Sequence, residues 1–451
     1  MSAADGPRTS RLPRALRPLG FGQFRLLATA VTMSLFGAGV WLVALVWKVI
    51  ELGGGPVDLS IVATAASLGL LGAVLIGGVV ADRVPQRRIL IGTEAAKTLT
   101  IGVAAVLGLT GGLELWHLAA VSLVLGVADG FFYPAYSAWL PSILPADQLL
   151  AANGIEGVLR PTIMQAAGPA AASAMIALLS PDAAFLLVAV SQAFAVVVLF
   201  GMHTTPVRRV ADAEQRSRLR GVIADLRGGF GYMRRTPWFL ATLIFAVALV
   251  LVIMGPIEVL LPFAVRDQTG GGAGAFALTL AAFGIGGAVG SMVTASFRLP
   301  RRYLTIMNLL WGAGCIPLAI IGFTDQLWLM VAALLVVGYT FGCGQVLWGT
   351  LLQRRVPPEL LGRVSSLDFF VSLALMPVSM ALAGPVGEAV GIPLVFLVAG
   401  LAPPLFAVAA ILIWRLPQDE IAHPLDTAEG QQSQAAEGTR TSGTAEPEPT
   451  G

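Results

Sequence analysis

Charge is what this chain has least of. Asp, Glu, Lys and Arg make up 12% of its 451 residues, where a soluble domain carries about 25%. So few charges cannot coat a soluble protein of this length, which excludes a large soluble enzyme. Cysteine is almost absent. Cys315 and Cys343 both lie in apolar segments and form neither a disulfide framework nor a metal-ligand spacing. The three histidines, His117, His203 and His423, are scattered, and none belongs to an HExxH-type constellation. No Walker motif is present, which argues against ATP-driven transport. No nucleophile–base or metal arrangement is visible, so the sequence does not read as an enzyme, and no bound cofactor is expected. Gly284, Gly286, Gly287 and Gly290 sit inside an apolar run with no strand before them. They read as helix packing through Gly286 and Gly290, not as a nucleotide fingerprint.

What is abundant is apolar sequence: 56% of residues are hydrophobic, with a mean hydropathy of +0.81. A bilayer core about 30 Å thick needs about 20 such residues per helix. Twelve runs qualify, over 26–50, 59–81, 89–110, 116–139, 153–179, 183–202, 238–263, 274–297, 303–323, 327–351, 366–389 and 392–414. Turn formers separate several of them, among them Gly53-Gly54-Gly55-Pro56, Pro181-Asp182 and Gly270-Gly271-Gly272. The expected fold is therefore an all-α integral membrane protein with twelve transmembrane helices.

Loop charge orients these runs. Arg83, Arg87 and Arg88 share one side with Arg298, Arg301 and Arg302, and with Arg354, Arg355 and Arg363. The opposite side carries Glu51, Asp58, Glu114, Asp182 and Asp325, with Arg266 as the exception. Cytoplasmic loops are enriched in Lys and Arg, so both termini are expected in the cytoplasm. The expected organisation is a basic arm (1–25), a six-helix bundle (26–203), an arginine-rich linker (204–237), a second six-helix bundle (238–415) and a disordered tail (416–451). In the linker, Leu219, Val222, Ile223, Leu226, Phe230 and Met233 recur at helical spacing. That pattern predicts an amphipathic cytoplasmic surface helix, solvated or facing lipid, rather than a nucleic-acid patch.

The halves echo each other. Arg83-Val84-Pro85-Gln86-Arg87-Arg88 is matched by Arg298-Leu299-Pro300-Arg301-Arg302, Pro145-Ala146-Asp147-Gln148-Leu149 by Pro357-Pro358-Glu359-Leu360-Leu361, and Gly168-Pro169 by Gly384-Pro385. Three matches at nearly one offset argue for a duplicated six-helix unit. Parallel six-helix halves with a site between them near the midplane are a transporter architecture.

Intramembrane ionisable groups mark candidate chemistry. Asp129 lies about 18 Å into its run and Arg160 about 12 Å into the antiparallel neighbour from the other side, at 1.5 Å per residue. An Asp129–Arg160 pair is therefore allowed, with Glu156 a competing partner for Arg160 at i, i+4. Two readings stand side by side: Asp129 takes up and releases a proton with Arg160 tuning it, or the two form a permanent structural ion pair. Glu94, Lys97, Glu258 and Asp368 read as nearer the ends of their runs, and so as structural or interfacial, with Glu94 and Lys97 spaced at i, i+3 to pair locally. Gly168-Pro169 and Gly384-Pro385 read either as hinges or as simple kinks.

Gly78-Val79-Val80-Ala81-Asp82-Arg83 with Arg87 and Arg88 resembles the loop signature of the major facilitator superfamily, with Pro85 in place of its usual glycine. Asp129-Gly130-Phe131-Phe132-Tyr133-Pro134-Ala135, Leu140-Pro141 and Leu149 to Asn153 resemble bacterial exporters, the macrolide efflux proteins and the enterobactin exporter among them. Leu361-Gly362-Arg363-Val364-Ser365 resembles their loop between helices ten and eleven. The resemblance implies a monomeric, proton-driven exporter of small amphipathic molecules (a drug, a macrolide-like compound or a siderophore) in the bacterial inner membrane, surrounded by lipid. An importer or lipid translocase of the same fold, or a non-transporting scaffold or sensor, are the alternatives. The resemblance also implies that Asp82 caps the start of the eleventh helix near Gly362 and Arg363. Gly78, Asp82, Arg83, Arg87 and Arg88 would then form a conformational latch, not a cargo site.

Overall fold

In hydrocarbon every backbone N–H and C=O must be satisfied within the protein, and a helix does this within a single segment. The structure, a computed structural model, describes residues 14–81, 83–145, 148–203, 230–297 and 299–425. Among these residues every regular element is helical. In the first half, the first span is Gly22–Glu51, the second Pro56–Ala81, the third Gln86–Leu109, the fourth Leu115–Ile143 and the sixth Pro181–Phe200. The fifth is built from three consecutive segments, Leu149–Leu159, a π-helical Arg160–Ala167, and Gly168–Leu178. In the second half, the seventh span runs through Pro237–Gly255, a π-helical Pro256–Leu260 and Leu261–Thr269. The eighth is Ala273–Ser296, the ninth Tyr303–Ala313 with Leu318–Ile321, and the tenth Leu327–Arg355. The eleventh is Pro358–Leu373 with Met376–Val390, and the twelfth is Ile392–Ile413. Eleven described helices are long and apolar enough to cross a membrane, and the interrupted fifth span is the remaining passage. The twelve-helix expectation holds. Leu178, Leu99 and Met292 stand 69–78% exposed on the outer faces of the spans, an apolar surface suited to lipid.

The breaks have local causes. Proline removes a backbone donor and disrupts the i→i−4 ladder. Pro161 lies in one π-helical stretch and Pro256 opens the other. The seventh span ends where Gly270 turns left-handed at φ +66°, its N–H donating to the Arg266 carbonyl at 3.1 Å. Glycine reaches that φ without a Cβ penalty.

Close helix approach depends on small residues. The fourth span lays Gly126 and Gly130 on the backbone of the second span, so that a Cβ on Gly126 would collide with the Ala66 carbonyl. Gly286 and Gly290 do the same for the eighth span against the Leu335 and Tyr339 carbonyls of the tenth, as expected of that glycine pair.

The two halves meet mainly on the side opposite the arginines. There the segment Met376–Val390 of the eleventh span packs along the second span. Gly384 donates its N–H to Ser60 Oγ at 2.6 Å, and Trp47 of the first span stacks on Phe276 of the eighth at 5.8 Å. One buried apolar cluster runs through both halves at this level, whereas Phe24, Leu27, Trp139, Leu199 and their neighbours form a separate cluster in the first half toward the arginine-rich side. Among the described residues, the buried contacts between the halves therefore gather on the side opposite the arginines.

The tail differs from expectation in its first turns. Leu416–Ala422 is a helix folded back on the second half. Glu420, with no exposed side-chain surface, accepts from the Thr305 backbone N–H at 2.7 Å and from Thr305 Oγ at 3.0 Å. It thereby caps the start of the ninth span from outside, a site that favours negative charge. Asp419 pairs with Arg355, whose guanidinium also stacks on Trp238 at 4.6 Å. Composition missed this because Leu416, fully buried, and these two acids act only through tertiary partners. The basic arm up to residue 13, the linker residues 204–229 and the tail from 426 lie outside the described residues.

Two measurements test this packing. Gly126→Val should cost about 1–3 kcal/mol by overpacking, read as a lower unfolding temperature of the purified protein, while Gly154→Ala, at an open helical position, should not lower it. Glu420→Ala should cost about 1 kcal/mol, the usual value of a helix cap, and an unchanged melting curve would show that the cap contributes nothing.

Candidate functional site

The third span starts at Gln86, so Arg87 and Arg88 sit in its first turn and Lys97 lies about 16 Å along it at 1.5 Å per residue. Glu94 and Lys97 are therefore deep in the span and not at its end, a correction to the interfacial reading. Both are buried, at 0% and 5% exposure. Lys97 Nζ lies 2.7 Å from Asp129 Oδ1 and 3.3 Å from Glu94 Oε1. It also faces the Phe132 ring at 5.1 Å. Glu94 Oε1 accepts from Ser34 Oγ at 2.9 Å, while Glu94 Oε2 is buried with no hydrogen-bond partner. One ammonium thus serves two carboxylates, and the fully ionised cluster carries a net charge of −1. Asp129 differs from the other two: its side chain is 41% exposed.

The expected Asp129–Arg160 pair is not formed. Arg160 Nη2 instead lies 3.1 Å from Glu156 Oε1, its nearer neighbour on the same span, and Nη1 donates to the Tyr133 hydroxyl at 2.9 Å. Axial depth allowed the pair, but the rotation of each helix about its own axis directs Asp129 to the third span. The local Glu94–Lys97 pair was legible from its i, i+3 spacing, but sequence reasoning missed Lys97 as the partner of Asp129, although a signal was present. The chain has only two lysines, Lys48 and Lys97, and uses arginine everywhere else. Both lysines form buried ion pairs. Lys48 joins the first span to the sixth through Asp182 at 2.8 Å.

The cluster opens on a cavity of about 240 Å³ between the halves. Its walls are mostly apolar: Trp41, Leu45, Leu59, Val62, Met376 and Met380 contribute. Lys97, Asp129, Ser122 and Gln192 supply polar groups from the first half, and Glu258 enters from the second. Glu258 also departs from expectation. The seventh span continues to Thr269 through its π-helical stretch, so Glu258 lies about 16 Å from that end at 1.5 Å per residue. Asp368 does not line this cavity. It accepts from Trp348 Nε1 at 2.9 Å and Ser372 Oγ at 3.4 Å, a structural role consistent with expectation.

The proline–glycine pairs sit at crossings. Gly168 is buried against Gly39 of the first span with no room for a Cβ, directly after the π-helical stretch that also meets the eighth span. Pro169 follows it in the first turn of Gly168–Leu178. Gly384, followed by Pro385, is the contact of the eleventh span with Ser60 on the second. Of the latch residues, Asp82 lies outside the described residues, as do the side chains of Gly362 and Arg363. Gly78 has open space where a Cβ would stand, and Arg83 and Arg88 are exposed. Arg87 donates to the Leu199 and Phe200 carbonyls at 3.1 and 2.7 Å. A cation there meets the negative end of the sixth span.

The sequence profile of a family described as transmembrane secretion effector, of the major facilitator type, matches residues 14–440. The chain is similar to the multidrug efflux pump Tap of Mycolicibacterium fortuitum, with 27% identity over 413 residues, 89% of this chain and 98% of the relative. It is also similar to macrolide efflux protein A of Streptococcus pyogenes, with 24% identity over 384 residues, 84% of this chain and 92% of the relative. Among solved structures, a POT family transporter in complex with 5-aminolevulinic acid superposes with a TM-score of 0.69 at 13% identity, covering 91% of this chain and 98% of that one. The nucleoside transporter NupG superposes at 0.64 and 15% identity, covering 86% and 98%. At these identities the two structures share the fold with this chain.

Breaking a buried ion pair from one side leaves an uncompensated charge and costs about 3–5 kcal/mol. Lys97→Met should fall near the lower end, because Asp129 is partly solvated, and should lower the unfolding temperature by several degrees. Combining it with Glu94→Gln should recover part of the loss. A Lys97→Met protein as stable as the parent would show that the cluster is not held by its ammonium.

Proposed function

Because the chain belongs to the transmembrane secretion effector family of major facilitator proteins, and is thus a multi-pass membrane transporter and not an enzyme, we propose that it exports small amphipathic molecules in exchange for protons. The observation that carries this reading is the Glu94–Lys97–Asp129 cluster on the wall of the central cavity. Two carboxylates share one ammonium, so a single proton takes the cluster from a net charge of −1 to neutral. In a low-dielectric site that charge difference is large enough to bias two conformations. Asp129, the partly exposed member, is the group that exchanges the proton. Glu94, enclosed and hydrogen-bonded to Ser34, holds Lys97 in place while it does so.

The arginine-rich side is assigned to the cytoplasm by the positive-inside rule. The described contacts between the halves gather on the other side, which supports reading this state as inward-facing, with the cluster ionised and the cavity ready to load. Rocking of the halves about the crossings of Gly384 on the second span and of the fifth span on the eighth then opens the opposite side. Proton binding at Asp129 there and its release inside complete the cycle, with the proton gradient as energy source. The names of the efflux relatives favour export over import, and the mostly apolar cavity favours amphipathic cargo over sugars or ions. Gly78 to Arg88 is assigned the latch role on the arginine-rich side.

Reconstituted vesicles with an imposed pH gradient test the proposal. A drug panel that includes a macrolide should move against its gradient, and a protonophore should abolish the movement. Asp129→Asn should lower gradient-driven transport by about tenfold or more, the scale of losing a positioned proton carrier, while leaving cargo binding measurable. Transport by the parent protein that ignores the pH gradient would refute proton coupling.

A further inference from the structure

The central cavity holds a carboxylate that the proton cycle does not use. Glu258 sits in the π-helical stretch Pro256–Leu260, where Ile257, Val259 and Leu260 are buried around it. Its side chain is exposed, and it lines the central cavity. Among the described residues it has no hydrogen-bond or ion-pair partner. Ionisable groups within membrane spans are ordinarily paired, and Glu94, Asp129 and Asp182 in this protein all are. Glu258 faces a volume of about 240 Å³ instead.

Two further groups on the same wall are unanswered. Ser122 Oγ and Gln192 Oε1, on side chains 1% and 2% exposed, have no hydrogen-bond partner. The charges in the lining are Glu258, Asp129 and Lys97. Lys97 is already offset by Asp129 and, behind the wall, by Glu94. The cavity lining is therefore anionic and otherwise mostly apolar, with the polarisable side chains of Met376 and Met380 in its wall and the two unpartnered oxygens enclosed behind its surface.

We propose that the cavity is a site for lipophilic ammonium compounds, with Glu258 as the counter-ion of the protonated amine and the apolar wall around its hydrocarbon body. This assignment rests on the export reading of the same cavity and adds the class of cargo. Because Glu258 belongs to the second half and most of the apolar wall to the first, an amine held by its charge on one and by its hydrocarbon body on the other forms a bridge that ties the halves together across the cavity. A neutral amphipath fills the same apolar space without that bridge.

A matched pair of fluorescent probes tests the proposal on the purified full-length protein: 1-naphthylmethylamine, cationic at neutral pH, and 1-naphthalenemethanol, its neutral counterpart. The parent protein should bind the amine about tenfold or more tightly than the alcohol, as a desolvated charge pair implies. Glu258→Gln should remove that preference and leave the affinity for the alcohol within about twofold, which also shows that the variant is folded. Glu258→Asp should restore part of the preference. Equal affinity for the two probes, no binding of the amine, or full retention of amine affinity in Glu258→Gln would each overturn the site. The export reading fails separately. A protein that binds the amine through Glu258 but moves nothing under a pH gradient keeps the site and loses the export function, while one that exports neutral compounds without an amine preference does the reverse.

Discussion

A charge placed in hydrocarbon has to be answered by protein, and this requirement shapes the interior more than any other. Lys97 answers two carboxylates, and the first and sixth spans are joined by Lys48 and Asp182. On the arginine-rich side, Arg355 meets Asp419 and the Trp238 ring, and Glu420 meets the start of the ninth span. Each of these contacts locks one helix against another at a particular rotation and depth. Apolar packing alone does not do this in a bilayer, because lipid tails solvate a leucine as well as another helix does. Against that background an unanswered carboxylate such as Glu258 is conspicuous, and it sits where a ligand has room.

The second constraint is steric. The second and fourth spans, and the eighth and tenth, approach until backbone touches backbone, through Gly126, Gly130, Gly286 and Gly290. These pairs lie within a half and make each half stiff. Between halves the contacts among the described residues are fewer in kind and gather on the side opposite the arginines, with Gly384 on Ser60 and Trp47 on Phe276. Stiff halves with a one-sided seam are what rigid-body rocking requires. The π-helical stretches at Arg160–Ala167 and Pro256–Leu260 both line or adjoin the cavity, where Met164 and Glu258 enter it. A wide π turn displaces side chains from the regular helical stripe, and such turns are frequent at functional sites.

The comparison of sequence with structure turns on particular residues. The spans were legible because a membrane demands about 20 apolar residues in a row, a requirement local to each segment. The packing role of Gly286 and Gly290 was legible because spacing of four puts both on one face. The Asp129–Arg160 pairing failed because depth along a helix can be counted from sequence but rotation about its axis cannot. The interfacial reading of Lys97 failed because the third span begins among its arginines, at Gln86, and not after them. The helix Leu416–Ala422 was invisible in a composition that otherwise resembles a polar tail.

The sequence by itself determined the class of protein, the number of membrane crossings, the arginine asymmetry, the duplication and the family resemblance. All of these follow from local composition and repetition, which the bilayer reads one segment at a time. Tertiary structure decided which charges meet, which side of the two halves is closed, and which carboxylate faces open space. Those outcomes depend on the rotation and register of helices against one another, and they are set by contacts between residues such as Lys97 and Asp129, or Gly384 and Ser60, that lie far apart in the chain.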